Sequence, residues 1–146
     1  MAFRRNWRNS AGQMTIEFAV SFPVFIIVAV IAVNALLFFS ECVAFDRVSR
    51  EAVRVCATSS AYGQTLEQSR AQVQALLDGS FDEPYLASRV SVSHGGLGHV
   101  TFAMTLEFSP TLFGLGMKDE VFGVPLPHLE HTSEITVDVY KPGVLL

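Results

Sequence analysis

The amino-acid sequence predicts an α+β protein: a long N-terminal transmembrane helix extending into a small head with a second helix and a three-stranded antiparallel sheet. Three observations predict it. No charged side chain occurs between Glu17 and Glu41. A helical period of apolar residues continues past that run to Ala57, and beyond Pro84 the period changes to two.

The charge-free run accounts for the high apolar content, 50% of 146 residues. From Phe18 to Ser40, at a rise of ~1.5 Å per residue, a helix is about 34 Å long, enough to cross a hydrocarbon core of ~30 Å with slight tilt. The basic start (Arg4, Arg5, Arg8) would suit a secretory signal, but the run is too long for one and no A-x-A site follows it at a suitable distance. Arginines flank the run evenly, Arg4, Arg5 and Arg8 against Arg47, Arg50 and Arg54. The α-amino group and the lack of any acid before Glu17 then place the amino terminus in the cytoplasm.

Past the run, Phe45, Val48, Ala52 and Val55 share one helix face, and Arg47, Arg50, Glu51 and Arg54 the other. Asp46 with Arg50 and Arg47 with Glu51 are spaced as i,i+4 pairs, which favours a water-facing side. The rod from Gln13 to Ala57 would be about 68 Å long. "TSSAYG" interrupts it. Thr65 and Gln68 then form a capping box opening a second helix, with Leu66, Val73, Leu76 and Leu77 on its apolar side and Gly79 as its C-terminal cap.

Three half-buried strands follow. They are marked by Val90 and Val92; by Val100, Phe102, Met104, Leu106 and Phe108 alternating with polar residues; and by Ile135, Val137 and Val139. "HGGLGH" is a hairpin turn whose glycines supply positive φ, so no phosphate is needed to explain them. The long excursion from Ser109 to Thr132, punctuated by Pro and Gly, reads as a loop holding a short turn of helix. The head covers one face of its sheet with the outer half of the long helix and with the second helix.

Glu17 is the residue in this sequence that most needs a reason, because a carboxylate at the threshold of a span is costly without a partner. "GQMTIEF" sets Gly12 five residues ahead of Glu17 and Phe18, behind a short basic leader and before a long apolar helix. At these residues the chain resembles prepilins of the type IV superfamily, whose leader is cut after the glycine and whose fifth mature residue is glutamate. G-x-x-x-x-E-F resembles most the tight-adherence (Tad) branch. Because this chain adds a head to the helix, it is more similar to the TadE-like minor pseudopilins than to the Flp major pilin. "EFAVSFPVFIIV", "DRVSREAVRVCA" and the tail "VFGVPLPHLEHTSEITVDVYKPG" look TadE-like as well. Gln13 departs from the phenylalanine many pilins carry at the first mature position.

The resemblance implies a membrane-anchored minor pseudopilin of a Tad/Flp type IV pilus assembly system, with no enzymatic activity and no cofactor. Residues 1–12 would be the leader, 13–57 the stalk helix with its transmembrane part at 18–40, and 58–146 an extracytoplasmic, pilin-like α+β head. Its location would be the inner membrane, single-pass, with the surface pilus as a further destination. The implied partners are the prepilin peptidase, the Tad platform and motor complex, the Flp major pilin, other minor pseudopilins and membrane lipid. Gly12 and Gln13 would form the cleavage junction, and Glu17 with Phe18 the subunit-docking site. Physically, a new ammonium at Gln13 and the Glu17 carboxylate would neutralise one another, within or between subunits. Pro23 removes one helix hydrogen bond and is the expected kink.

A plainer account stands beside this one. Ser10 and Gln13 also fit a capping box, and Glu17 lies near the positive end of the helix dipole at headgroup level. By that account the chain is an unprocessed, membrane-tethered binding or sensory domain.

Other classes find little support. A net charge of −4 with no basic stripe argues against nucleic acid. On one helix Cys42 and Cys56 would lie about 21 Å apart, so free packed thiols, or a bridge to a partner chain, are expected. His128 and His131 with Glu130 have metal-like spacing but no cysteine or second ligand pair, so no metal site is assigned. The sequence contains no G-x-S-x-G, P-loop or H-E-x-x-H motif. Asn34, in mid-span, is a candidate donor to another helix.

Overall fold

The computed structural model describes residues 8–57, 65–95 and 99–138, with side chains described from Gly12 onward. The "TSSAYG" break, the centre of the "HGGLGH" turn and Val139 lie outside the described residues.

Helix α1, Arg8–Cys56, is a single element of 49 residues that runs through Pro23. It is about 73 Å long at ~1.5 Å per residue. It is the one helix among the described residues long and apolar enough to cross a membrane. Its outer end carries the head on a stripe of Phe45, Ser49, Ala52, Val53 and Cys56, all buried. The steps of three and four keep these residues on one side of the helix. Val55, assigned to this stripe from the sequence, is exposed instead. It lies about 100° around the helix from Cys56, which takes the inward place.

Helix α2, Leu66–Ser80, opens with the expected capping box. The Gln68 N–H donates to Thr65 Oγ1 at 3.3 Å, and the Thr65 N–H donates to Gln68 Oε1 at 2.9 Å. Gly79 is not its cap. The helix continues to Ser80 and ends at Phe81, whose N–H bonds the Leu77 carbonyl at 2.9 Å. Phe81 is buried with its ring edge-on to Phe45, centroids 5.4 Å apart, so a core contact fixes where the helix stops.

Strands β1 (Leu86–His94), β2 (His99–Phe108) and, later in the chain, β5 (Leu129–Asp138) form an antiparallel sheet in the order β1-β2-β5. Register puts Val90 opposite Met104, Phe102 opposite Ile135 and Val100 opposite Val137, so the apolar positions of all three strands share one face. That face packs on α1 and α2 through Phe45, Val53, Val73, Leu77, Phe102, Met104 and Leu106. The outer face is polar: the hydroxyls of Thr101 and Thr136 pair at 2.9 Å and those of Thr105 and Thr132 at 3.0 Å, while Arg89 pairs with Glu107.

The β1 edge is occupied by a side chain rather than by a strand. Gln74 Oε1 accepts from the Val90 N–H at 2.8 Å, and Gln74 Nε2 donates to the Ser88 carbonyl at 3.0 Å. The α2 glutamine thus satisfies an exposed row of backbone groups as a neighbouring strand would.

The excursion between β2 and β5 contains no helical turn. It holds a two-residue hairpin, β3 (Glu120–Val121) with β4 (Val124–Pro125), and a bridge from Thr111 to Met117. The positive φ of Phe113, Gly114, Phe122 and Gly123 closes two tight turns where a helical turn would require negative φ.

Candidate functional site

The proposed leader junction lies within α1. Gly12 is helical, and a Cβ built there meets nothing within 4 Å, so no packing contact inside the chain demands glycine. One turn on, Gln13 Nε2 donates to Glu17 Oε1 at 3.0 Å. Both side chains are exposed, and this i,i+4 bond satisfies one carboxylate oxygen while leaving the charge uncompensated. Phe18 is exposed beside Phe22, ring centroids 5.7 Å apart. Met14, Ile16, Val20, Val24, Phe25 and Val28 are exposed too. Gly12, Gln13, Glu17 and Phe18 therefore form one exposed segment of α1.

The head reaches α1 well below the stripe at its outer end. Val30, with no exposed surface, packs with Val121 and Leu126, and Ile26, Ile27 and Leu112 flank that cluster. A turn higher, Asn34 is buried and engages Thr111: its Oδ1 accepts from the Thr111 N–H at 2.7 Å, and its Nδ2 donates to the Thr111 carbonyl at 2.7 Å. Asn34 Nδ2 also donates to the Val30 carbonyl at 2.8 Å. Phe38 meets Phe108 edge-on, centroids 5.7 Å apart. The donor role expected of Asn34 is thus filled inside its own chain. Residues 26–38, within the expected transmembrane part 18–40, have one side covered by the head.

Two short turns form the head's lower rim. In Leu112–Leu115 the Leu115 N–H bonds the Leu112 carbonyl at 2.9 Å, with Phe113 at φ 51 and Gly114 at φ 78. In Val121–Val124, the turn between β3 and β4, Phe122 has φ 50 and Gly123 φ 77. Positive φ at both central positions marks the hairpin turn that Asn-Gly normally fills. Both turns use Phe-Gly, and both rings are exposed. The signal was present in the sequence as "LFGL" and "VFGV". Phenylalanine is a poor predictor of a left-handed turn, so the pattern does not announce itself.

The sequence pair His128 and His131 does not converge. His131 Nε2 lies 2.9 Å from Asp46 Oδ1 on α1, and His128 Nε2 lies 3.7 Å from Asp119 Oδ1 in the excursion. His131 also stands edge-on to Phe45, centroids 6.3 Å apart, so it belongs to the seam between sheet and helix. Among the described residues no three His, Cys, Asp or Glu side chains form a group that could hold a metal ion. Cys42 and Cys56 are free and buried.

Comparison of the chain with protein-family models, with curated proteins and with solved structures finds no match. The functional reading therefore rests on the residues and their arrangement.

Proposed function

We propose that the chain is a TadE-like minor pseudopilin: a single-pass inner-membrane protein, amino terminus cytoplasmic and head extracytoplasmic, cut by a prepilin peptidase between Gly12 and Gln13 and taken up by a Tad/Flp pilus assembly system. The observation that carries this reading is the way α1 is covered. The head occupies one side of the helix from Ile26 outward, and Leu36, Phe39 and Val43 remain exposed at the three- and four-residue spacing of a helix-packing seam. The seam runs past residue 40, the expected outer end of the span, to Val43, where lipid no longer covers it. A lone anchor needs no such extension, whereas a subunit stacked on its neighbours does. The partners are those of a pilin under assembly, namely the peptidase, the platform and motor complex, the Flp pilin and another minor pseudopilin.

Glu17 fits the same reading. Its bond from Gln13 leaves the negative charge unneutralised, and cleavage places an ammonium on that same residue, one turn away. The rival reading, an uncut tethered domain, draws on the same bond, since a carboxylate satisfied by a neighbouring amide at headgroup level needs no processing.

Mass analysis of the protein extracted from membranes of cells carrying the assembly system separates the two. Loss of residues 1–12, abolished by Gly12→Leu, supports the pseudopilin. An intact amino terminus overturns it. With processing established, Glu17→Gln tests docking: cleavage continues and pilus assembly falls.

A further inference from the structure

We propose that the two Phe-Gly turns at the lower rim of the head seat in the lipid interface of the extracytoplasmic leaflet, so that the head rests on the bilayer and sets how far α1 is drawn into it. The inference rests on α1 being inserted in a membrane, and it concerns a segment that reading leaves outside.

The depth of the rim is fixed by the helix. Val121 and Leu126 pack on Val30, and Thr111 is held by Asn34, so the turns lie beside residues 26–34. From Gly12 to Val30 the helix rises about 27 Å, close to the ~30 Å of a hydrocarbon core. A bilayer that begins near Gly12 ends where the turns are.

The turns are made for an apolar partner that the chain itself does not supply. Phe113 and Phe122 hold left-handed backbone conformations, uncommon for bulky residues, although Asn or Gly would meet the turn requirement without strain. Their rings are 48% and 66% exposed, and Leu115 between them is 88% exposed, so no internal packing offsets that strain. Behind the rings a cleft of about 340 Å³ runs between turns and helix, lined by Ile26, Leu112, Phe113, Val121 and Phe122 together with the charged Lys118 and Glu120. Phe22 and Phe25, within a turn of Ile26 on α1, are also exposed, and an apolar cleft with a lysine and a glutamate in its wall suits the end of an acyl chain nearest its headgroup.

The charged residues limit the depth. Lys118, Asp119 and Glu120 link the turns and are exposed, and two of their backbone groups bond to the body of the excursion: the Lys118 N–H to the Pro110 carbonyl at 2.9 Å and the Asp119 carbonyl to the Leu126 N–H at 2.7 Å. Three charges at the bilayer centre would be prohibitive, whereas at headgroup level they cost little, and phenylalanine and leucine side chains beside them can lodge in the boundary between headgroups and acyl chains. The bilayer placement that would bury residues 18–40 carries Lys118, Asp119 and Glu120 into hydrocarbon. Seating the rim at the interface avoids this and puts Glu17, about 20 Å below Val30, inside the apolar layer.

The single tryptophan, Trp7, allows a direct test in the full chain. In a Trp7→Phe background, Phe122→Trp reports the rim, Phe22→Trp the span and Thr136→Trp the outer sheet face. Each protein is reconstituted into phosphatidylcholine–phosphatidylglycerol vesicles with bromine, in separate preparations, near the headgroup end or near the methyl end of the acyl chains, to reach the rim and the mid-bilayer Phe22 respectively, and aqueous acrylamide is the opposing quencher. The expected result is severalfold stronger bromine quenching at Phe122→Trp than at Thr136→Trp, with Phe22→Trp quenched as well. If Phe22→Trp is quenched by bromine and Phe122→Trp only by acrylamide, the rim proposal is overturned and the inserted helix stands. Shielding of Phe122→Trp from both quenchers means that protein covers the rim, and this overturns the proposal too. Failure of bromine to quench Phe22→Trp removes the inserted helix and the rim proposal together.

Discussion

Asn34 and Thr111 join the two ends of the fold by a reciprocal pair of hydrogen bonds, each 2.7 Å long, between a side-chain amide on α1 and the backbone of the excursion. The carboxamide presents one donor and one acceptor with the spacing of a peptide group, so Thr111 is held as if by a neighbouring strand. Because both residues are buried, no water stands ready to replace either bond. Asn34→Ala leaves the Thr111 N–H and carbonyl unpaired, and the expected loss is about 3 kcal/mol of stability. Urea unfolding in detergent measures it, and hydrogen exchange at the Thr111 amide locates it. Unchanged protection at that amide contradicts the assignment.

Ser49 offers the opposite case. It lies on the buried stripe of α1 between Phe45 and Val53, with no exposed surface, and its hydroxyl has no hydrogen-bond partner among the described residues. Desolvation of that oxygen works against folding, and serine is also the poorer helix former. Ser49→Ala is expected to raise stability by about 1 kcal/mol, read as a higher urea midpoint at unchanged slope. A fall in midpoint would mean that the hydroxyl has a partner in solution, such as a carbonyl one helical turn back.

The strain at the rim is separable from its contact with lipid. Phe122 occupies a left-handed position that asparagine adopts more readily. With the full chain in detergent, Phe122→Asn is expected to leave the head about 1 kcal/mol more stable than Phe122→Leu, which also removes the ring but keeps the backbone demand without asparagine's local hydrogen bonding. Hydrogen exchange of the Val121–Val124 hairpin follows both variants. Equal effects from the two would assign the change to the loss of the ring.

Much of this architecture was legible because local signals agreed with one another. Thr65 and Gln68 announced the second helix, and strict alternation from Val100 to Phe108 announced the central strand with its buried face. Gly79 misled, because a tertiary contact decided the helix end when Phe81 turned in toward Phe45. Asn34 was legible as a buried donor, but its partner lies 77 residues away in the chain, and no periodicity records a contact of that range. The excursion was least legible. Its two turns are specified by backbone torsions that Phe-Gly rarely signals, and its depth along α1 follows from packing on Val30.

Tyr85 supplies a test of the head's packing through pH. Its ring meets Phe108 at 5.7 Å between centroids, which ties the start of β1 to the end of β2. Burial first, then the negative fields of Glu83 and Glu41, raise its phenol above the ordinary value of 10.0. The folded chain therefore holds this proton more tightly than the unfolded chain. The stability linked to it is fully present below the unfolded value near 10.0 and is lost as pH rises through the folded one. Tyr85 is expected to ionise later than it does in the denatured protein, as followed by tyrosinate absorbance. Tyr85→Phe removes that late component and makes the alkaline loss of stability shallower. If the late component persists in Tyr85→Phe, it does not arise at Tyr85, and the packing of this ring against Phe108 does not hold its proton.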